Sequence, residues 1–197
     1  MTFTLERDSA TQSALEIAPR RFTLPEFEQM SDAGLFADEH VELLDGSVFV
    51  KGMQSHRHAS AIRHLNKVFL KLLEGKAVVS ARLPLILLSP PPDFVEPDVA
   101  LLQLPETLYN DRNNPTSTDA LLVLEVSDST LERDQGDKLR AYARNNIPEY
   151  WILNLHMQQL EVRRDPSGED DLETRKYKVG QSVAMLEFAD VPLEWWV

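Results

Sequence analysis

Asp98 and Glu125 are the residues of this chain best placed to do chemistry. Asp98 follows Pro97 at the start of the apolar run Val99-Ala100-Leu101-Leu102, and Glu125 closes the run Ala120-Leu121-Leu122-Val123-Leu124. Each run reads as a buried strand, so each carboxylate sits at the edge of a core. A carboxylate there is costly unless it is paired, hydrogen-bonded or bound to a cation. Two such groups on neighbouring strands would make a site for a hard divalent metal. Capping of loops, or pairing with arginine, is the other reading of the same two acids.

Basic and imidazole side chains form a second set of candidates. Arg63, Lys67 and Lys71 recur at i, i+4 and i+8, which lays a basic stripe along one helix. The stripe suits phosphate contact, and it also suits a merely solvated face. His56, His58 and His64 are close in sequence, but no further ligand set completes a zinc site. His58 opens the helix and either faces a cleft or stays at the surface. Lys138 lies one helical turn from Asp134, a spacing at which an ion pair contributes about 0.2–0.5 kcal/mol. Tyr142, four residues further on, reads mainly as core. Other chemistries fail early: the chain has no cysteine, no G-x-x-x-x-G-K phosphate loop and no G-x-S-x-G elbow.

The elements that must position these groups follow from patterning. Thr23-Leu24-Pro25-Glu26 predicts a capping box and a short helix to about Asp32, closed by Gly34. Asp45-Gly46 between two apolar runs predicts a hairpin over residues 41–50. Ile62, Leu65, Phe69, Leu72 and Leu73 predict a helix from about His58 to Glu74. Residues 77–88 read as strand with an irregularity at Pro84, 90–93 as a turn, and 103–118 as a loop. Strand 120–126, helix 134–146 and strand 150–154 form a β–α–β unit, whose strands should be parallel. A hairpin over 159–163 and 173–179, turning at Asp165-Pro166-Ser167-Gly168, and a last strand over 183–188 complete the sheet. Asp134 and Asp137 are expected to favour the N-terminus of their helix through its dipole.

The 197 residues suit one domain, 21–197, behind an N-terminal arm over residues 1–20. No apolar stretch reaches the roughly twenty residues of a membrane span. The N-terminus lacks the basic head and apolar core of a signal peptide. With cysteine absent, a cytoplasmic setting is expected. The net charge of −12 argues against a nucleic-acid partner, although a local basic patch or a bound divalent cation can invert the field at one site.

Leu124-Glu125-Val126-Ser127-Asp128-Ser129-Thr130, then Asp134, Lys138 and Tyr142, then Ile147-Pro148-Glu149-Tyr150-Trp151-Ile152 resemble the Uma2 family, as do Pro97-Asp98-Val99, His58 and Glu42…Asp45-Gly46. The resemblance spans about residues 21–190. It implies an α/β (α+β) architecture, a restriction-endonuclease-like mixed sheet flanked by helices, of the PD-(D/E)XK superfamily. It further implies that Asp98, Glu125 and the Val126 carbonyl hold Mg²⁺, with Mn²⁺ as a substitute. The lysine of the E-x-K motif would orient and activate water. Ser127 stands in its place, and Lys138 is the migrated replacement that the resemblance offers. Glu42 would complete the metal site, or else stand exposed before the hairpin. The expected activity is cleavage of phosphodiester bonds in DNA by a homodimer. A silent binding or assembly module, or a nuclease for RNA, is the alternative.

Overall fold

The computed structural model describes residues 18–109 and 114–194. Most of the expected N-terminal arm, and Trp195 and Trp196, lie outside the described residues. Helix α1 (Leu24–Asp32) begins with the expected reciprocal cap: the Glu26 N–H donates to the Thr23 hydroxyl, and the Thr23 N–H donates to the Glu26 carboxylate at 2.9 Å. Strands β1 (Val41–Leu44) and β2 (Ser47–Val50) form the hairpin. Its turn needs positive φ at both central residues, and Asp45 and Gly46 supply φ of 48° and 70°. A Cβ on Gly46 would also stand 2.6 Å from the Cβ of Arg21.

Helix α2 (His56–Leu72) starts two residues before the predicted boundary. Ser55 is the reason: its hydroxyl accepts the His58 N–H at 3.1 Å, which makes it the N-cap. The region after α2 divides between two sheets. Strand β3 (Val78–Ser80) joins the large sheet, and β4 (Leu85–Leu87) joins the small one. Strand β5 (Asp93–Val95), which opens on the last residue of the predicted turn 90–93 and was not itself expected, pairs with β4 and β1; three residues opening on aspartate carry too little pattern to show. Strand β6 (Val99–Leu102) pairs antiparallel with β7 (Ala120–Ser127).

After β7 the chain runs through a helical segment in three pieces: α3 (Leu131–Arg133), a π-helical turn (Asp134–Lys138) and α4 (Leu139–Arg144). Strand β8 (Glu149–Asn154) then lies parallel to β7, as expected of the β–α–β unit. Strands β9 (Gln159–Ser167) and β10 (Asp170–Lys178) form a long hairpin that reverses at Gly168, not at Pro166. Beyond Arg164, β9 has no β8 partner, so Pro166 removes no ladder bond on that side. Of the strand predicted over 183–188 only Val183 and Ala184 are extended, within β11 (Ser182–Ala184), which pairs with β12 (Pro192–Glu194).

The large sheet runs β10-β9-β8-β7-β6-β3, and the small one β2-β1-β5-β4. Alternation along β7 divides the core. Leu122, Leu124 and Val126 pack with Ile62, Leu65 and Phe69 of α2. Val123 lies with Leu139 and Tyr142 of α4 and with Leu44 and Val95 of the small sheet. Glu125 and Ser127 share the parity of Val123 and so face the helical segment and the small sheet.

Glu149, in the quoted Pro-Glu-Tyr-Trp stretch, ties the C-terminal hairpin to the large sheet. It is buried and accepts from the Trp151 indole at 2.9 Å, from Arg164 at 2.6 and 2.9 Å, and from the Leu186 N–H at 2.8 Å. Replacing it by alanine strands a guanidinium and a backbone donor. Glu149→Ala should cost about 3 kcal/mol, lowering Tm by roughly 6–12 °C for a chain of this length, and Glu149→Gln should recover part of it. A calorimetric scan of Glu149→Ala matching the parent would show that this carboxylate does not hold the hairpin.

Candidate functional site

The antiparallel register of β6 and β7 explains why the two acids meet. Val99 lies opposite Leu124, and one step further along the same register sets Asp98 opposite Glu125, where side chains share a face. The ladder ends there, and the Asp98 side chain replaces it: Oδ2 accepts the Val126 N–H at 2.8 Å. The same oxygen lies 3.1 Å from His58 Nε2, which the N-terminal turn of α2 carries in.

Lys138 enters from the π-helical turn. Its Nζ donates to Glu125 Oε1 at 2.7 Å and to Glu42 Oε1 at 2.8 Å, and the three side chains are at most 5 % exposed. The Tyr142 hydroxyl also donates to Glu125 Oε1, at 2.7 Å. Glu42 reaches the group from β1, held by Arg133 at 2.8 Å and by the Glu96 N–H at 3.0 Å, with Lys51 at 3.7 Å. Ser127, at the position of the missing E-x-K lysine, donates to Asp134 Oδ2 at 2.5 Å, and Thr130 donates to the same oxygen at 2.7 Å. That pins the first residue of the π turn to the end of β7. A π turn carries an extra residue, a feature frequent at functional sites, and here it faces the lysine toward Glu125.

The electrostatics follow from this packing. Burial would raise Glu42, but Lys138 and Lys51 reverse that and hold it at about 2. Burial pushes Glu125 up to about 7; Lys138 opposes the rise, while Asp98 and Asp134 add to it. Burial would lower Lys138, yet Glu125 and Glu42 raise it above its ordinary value, so it stays an ammonium ion. Burial would raise Asp98, but the hydrogen bond and charge of His58 bring it below the usual carboxylate range. His58 is raised: burial lowers it, and Asp98 and Glu125 outweigh that.

Asp98, Glu125, Lys138, Glu42 and His58 therefore line one cleft of about 240 Å³. Four cationic side chains, Lys51, Arg82, Arg133 and Lys138, face five carboxylates there, so the cleft is close to neutral. Asp98 Oδ1 and Glu125 Oε2 receive no hydrogen bond among the described residues, so each acid retains an oxygen for a cation. No cluster of three or more His, Asp or Glu side chains could cage a metal among the described residues. A cation held by Asp98 and Glu125 would keep several waters, as Mg²⁺ characteristically does. Glu42 has no such free oxygen: both are committed to donors.

The Uma2 family model, described as "Putative restriction endonuclease", matches residues 24–196. The chain belongs to the Uma2 family. Its fold is similar to that of a crystal structure titled a putative nuclease of DUF820 from Anabaena variabilis ATCC 29413. The TM-score is 0.64 at 15 % identity, over 86 % of this chain and 92 % of that one. No curated protein matches.

Within this Uma2 chain, other expectations settle differently. Lys138 does not pair with Asp134, whose carboxylate is taken by two hydroxyls instead. Asp134 is buried inside the helical segment and not at its start, because the segment begins at Leu131. Tyr142 is both core and a Glu125 donor. Arg63, Lys67 and Lys71 do not reach the cleft; they line a separate groove with Leu70 and Glu74. Lys51 and Arg133 were not foreseen: Lys51 reaches Glu42 diagonally across the β1–β2 hairpin, and Arg133 reaches it only when the small sheet docks against the helical segment.

Lys138 is the cation that lets two carboxylates share the interior, so Lys138→Met should destabilise the fold by about 3–5 kcal/mol. Lys138→Met with Glu42→Gln should recover part of the loss, because one of the two stranded charges is gone. Urea unfolding of the three proteins measures this; additive losses in the double variant would refute the shared-cation reading.

Proposed function

We propose that this Uma2 chain is a metal-dependent endonuclease whose reacting centre is Asp98, Glu125 and Lys138, acting on phosphodiester bonds, with DNA as the substrate. The observation that carries the reading is the Lys138 ammonium 2.7 Å from the acid of a strand-end pair. A bound Mg²⁺, with Mn²⁺ as a substitute, would be held by Asp98, Glu125 and the Val126 carbonyl; it would supply Lewis-acid polarisation of the phosphate and a more acidic water.

The chain's own groups do the rest. Lys138 is held protonated, so it serves as a hydrogen-bond donor and a stabiliser of growing negative charge, not as a proton acceptor. Glu42 aims Lys138, since its oxygens are filled by donors. His58 keeps Asp98 ionised and turned toward the Val126 N–H. A homodimer would present two such centres to the two strands of a duplex.

The alternative is a catalytically silent member that binds or assembles. The near-neutral cleft favours it, because a polyanion gains little there unless a divalent cation is present. Asp98→Asn, Glu125→Gln and Lys138→Met should each lower Mg²⁺-dependent cleavage of plasmid DNA by about a hundredfold or more. Cleavage equal in all four proteins would identify a contaminant, and no cleavage by the parent with Mg²⁺ or Mn²⁺ would support the silent module. Metal binding has its own readout. At ten times its dissociation constant, Mg²⁺ should stabilise the parent by about 1.4 kcal/mol, a rise in Tm of roughly 3–6 °C, absent in Asp98→Asn.

A further inference from the structure

Residues 51–73 contain no aspartate or glutamate, in a chain with 32 acids and a net charge of −12. The same span carries Lys51, Arg57, Arg63, Lys67 and Lys71, and three of the five histidines. It comprises the approach to α2 and the whole of that helix. One face of α2, Ala61, Ile62, Leu65 and Phe69, is buried, while Arg57, Arg63, Lys67 and Lys71 are exposed.

This charge pattern works against the helix that bears it. The first turn has no acidic residue, although the dipole favours one there, and His56, Arg57 and His58 stand in its place. No i, i+4 acid–base pair is formed, which forgoes about 0.2–0.5 kcal/mol for each pair. Arg63, Lys67 and Lys71 have no carboxylate partner among the described residues, whereas most cations elsewhere do: Arg20, Lys76, Arg140, Arg163, Arg164 and Arg175 are all in ion pairs. The first acid beyond the helix is Glu74. His58 is compensated by Asp98 and Arg57 by the Leu155 carbonyl, but Arg63, Lys67 and Lys71 have no such contact among the described residues, which marks their surface as kept for something outside the fold.

Its position says what. Ser55 and His58, at the start of α2, line the cleft of Asp98 and Glu125, and Arg63, Lys67 and Lys71 line a separate groove further along the same helix, on a face about 140° around the axis from His58. Arg63 to Lys71 spans about 12 Å of axis, the rise of three to four nucleotides of one duplex strand.

We propose that the exposed face of α2 is a track for the phosphodiester backbone of a polynucleotide, engaging phosphates outside the cleft through Arg63, Lys67 and Lys71. The inference rests on the nuclease reading for its substrate class but requires only binding. It supplies the positive surface that the cleft itself lacks.

The test compares the full-length parent with Arg63→Gln/Lys67→Gln/Lys71→Gln, after thermal melts establish equal folding. Binding of a fluorescent 30-base-pair DNA duplex and of a single-stranded RNA is followed over a range of KCl in EDTA. Loss of three phosphate contacts should flatten the plot of log K against log salt by about 2.7 for duplex DNA, or about 2.1 for a single strand. The polymer whose slope falls by its own full amount is the one the track serves. Hydrolysis of bis(p-nitrophenyl) phosphate, which occupies the cleft alone, should be unchanged. An unaltered salt slope, or no binding of either polymer by the parent, overturns the track. A flattened slope in a parent that binds but does not cleave upholds it and discards the nuclease reading instead.

Discussion

One buried ammonium group holds this structure's centre together. Lys138 Nζ lies within 2.8 Å of both Glu42 and Glu125, and all three side chains are out of water. Neither carboxylate could remain ionised in that place alone, since burial acts against both. A single lysine shared by two acids leaves a net negative charge inside the protein. The structure resolves the asymmetry by giving Glu42 the further help of Arg133, Lys51 and a backbone N–H, and by leaving Glu125 with less. Glu42 is therefore a settled anion, while Glu125 sits near 7, pushed up by burial and by the neighbouring Asp98 and Asp134. A divalent cation beside Glu125 would remove that remaining imbalance, because its charge favours the ionised carboxylate.

The topology makes this arrangement possible at small conformational cost. Antiparallel pairing of β6 with β7 brings Asp98 level with Glu125, and the ladder stops at that level, so the Val126 N–H is free to bind a side chain. The parallel pairing of β7 with β8 requires a crossover, and the crossover carries Lys138. The small sheet closes the third side with Glu42. Three acids and a cation come from four segments, β1, the lead into β6, β7 and the crossover, and each is fixed by backbone pairing, a side-chain tie to the ladder or a helical turn.

Much of this was legible in the sequence, and what was not has physical causes. The capping box at Thr23, the Asp45-Gly46 hairpin and the parallel β–α–β unit are local or periodic signals, and all three are present. The strand β5 was hidden because three residues carry no period, and the turn at Gly168 was displaced because Pro166 is tolerated where β9 overhangs its neighbour. At the site, Asp98 and Glu125 stood out because a carboxylate beside an apolar run invites a question about its partner. Arg133 did not, since its role depends on which sheet docks where, and Lys51 did not, since its contact with Glu42 is a diagonal one across the hairpin register. The π-helical turn was equally hidden: its first residue, Asp134, is tied to Ser127, a contact made only after β7 and the helix meet.

That tie bears on why the lysine is where it is. A lysine at position 127 would project from β7 beside Glu125 and would be positioned by the large sheet alone. Ser127 instead anchors Asp134, and the turn that follows presents Lys138 to Glu125 and to Glu42 at once. Because Glu42 belongs to β1, the ammonium group reaches its place only when the small sheet is docked against the large one. Assembly of the core and completion of the cleft become the same event. A fold that has lost the small sheet would leave Lys138 with Glu125 alone and without the carboxylate that aims it, so the cleft would be undone although the ladder of the large sheet is untouched.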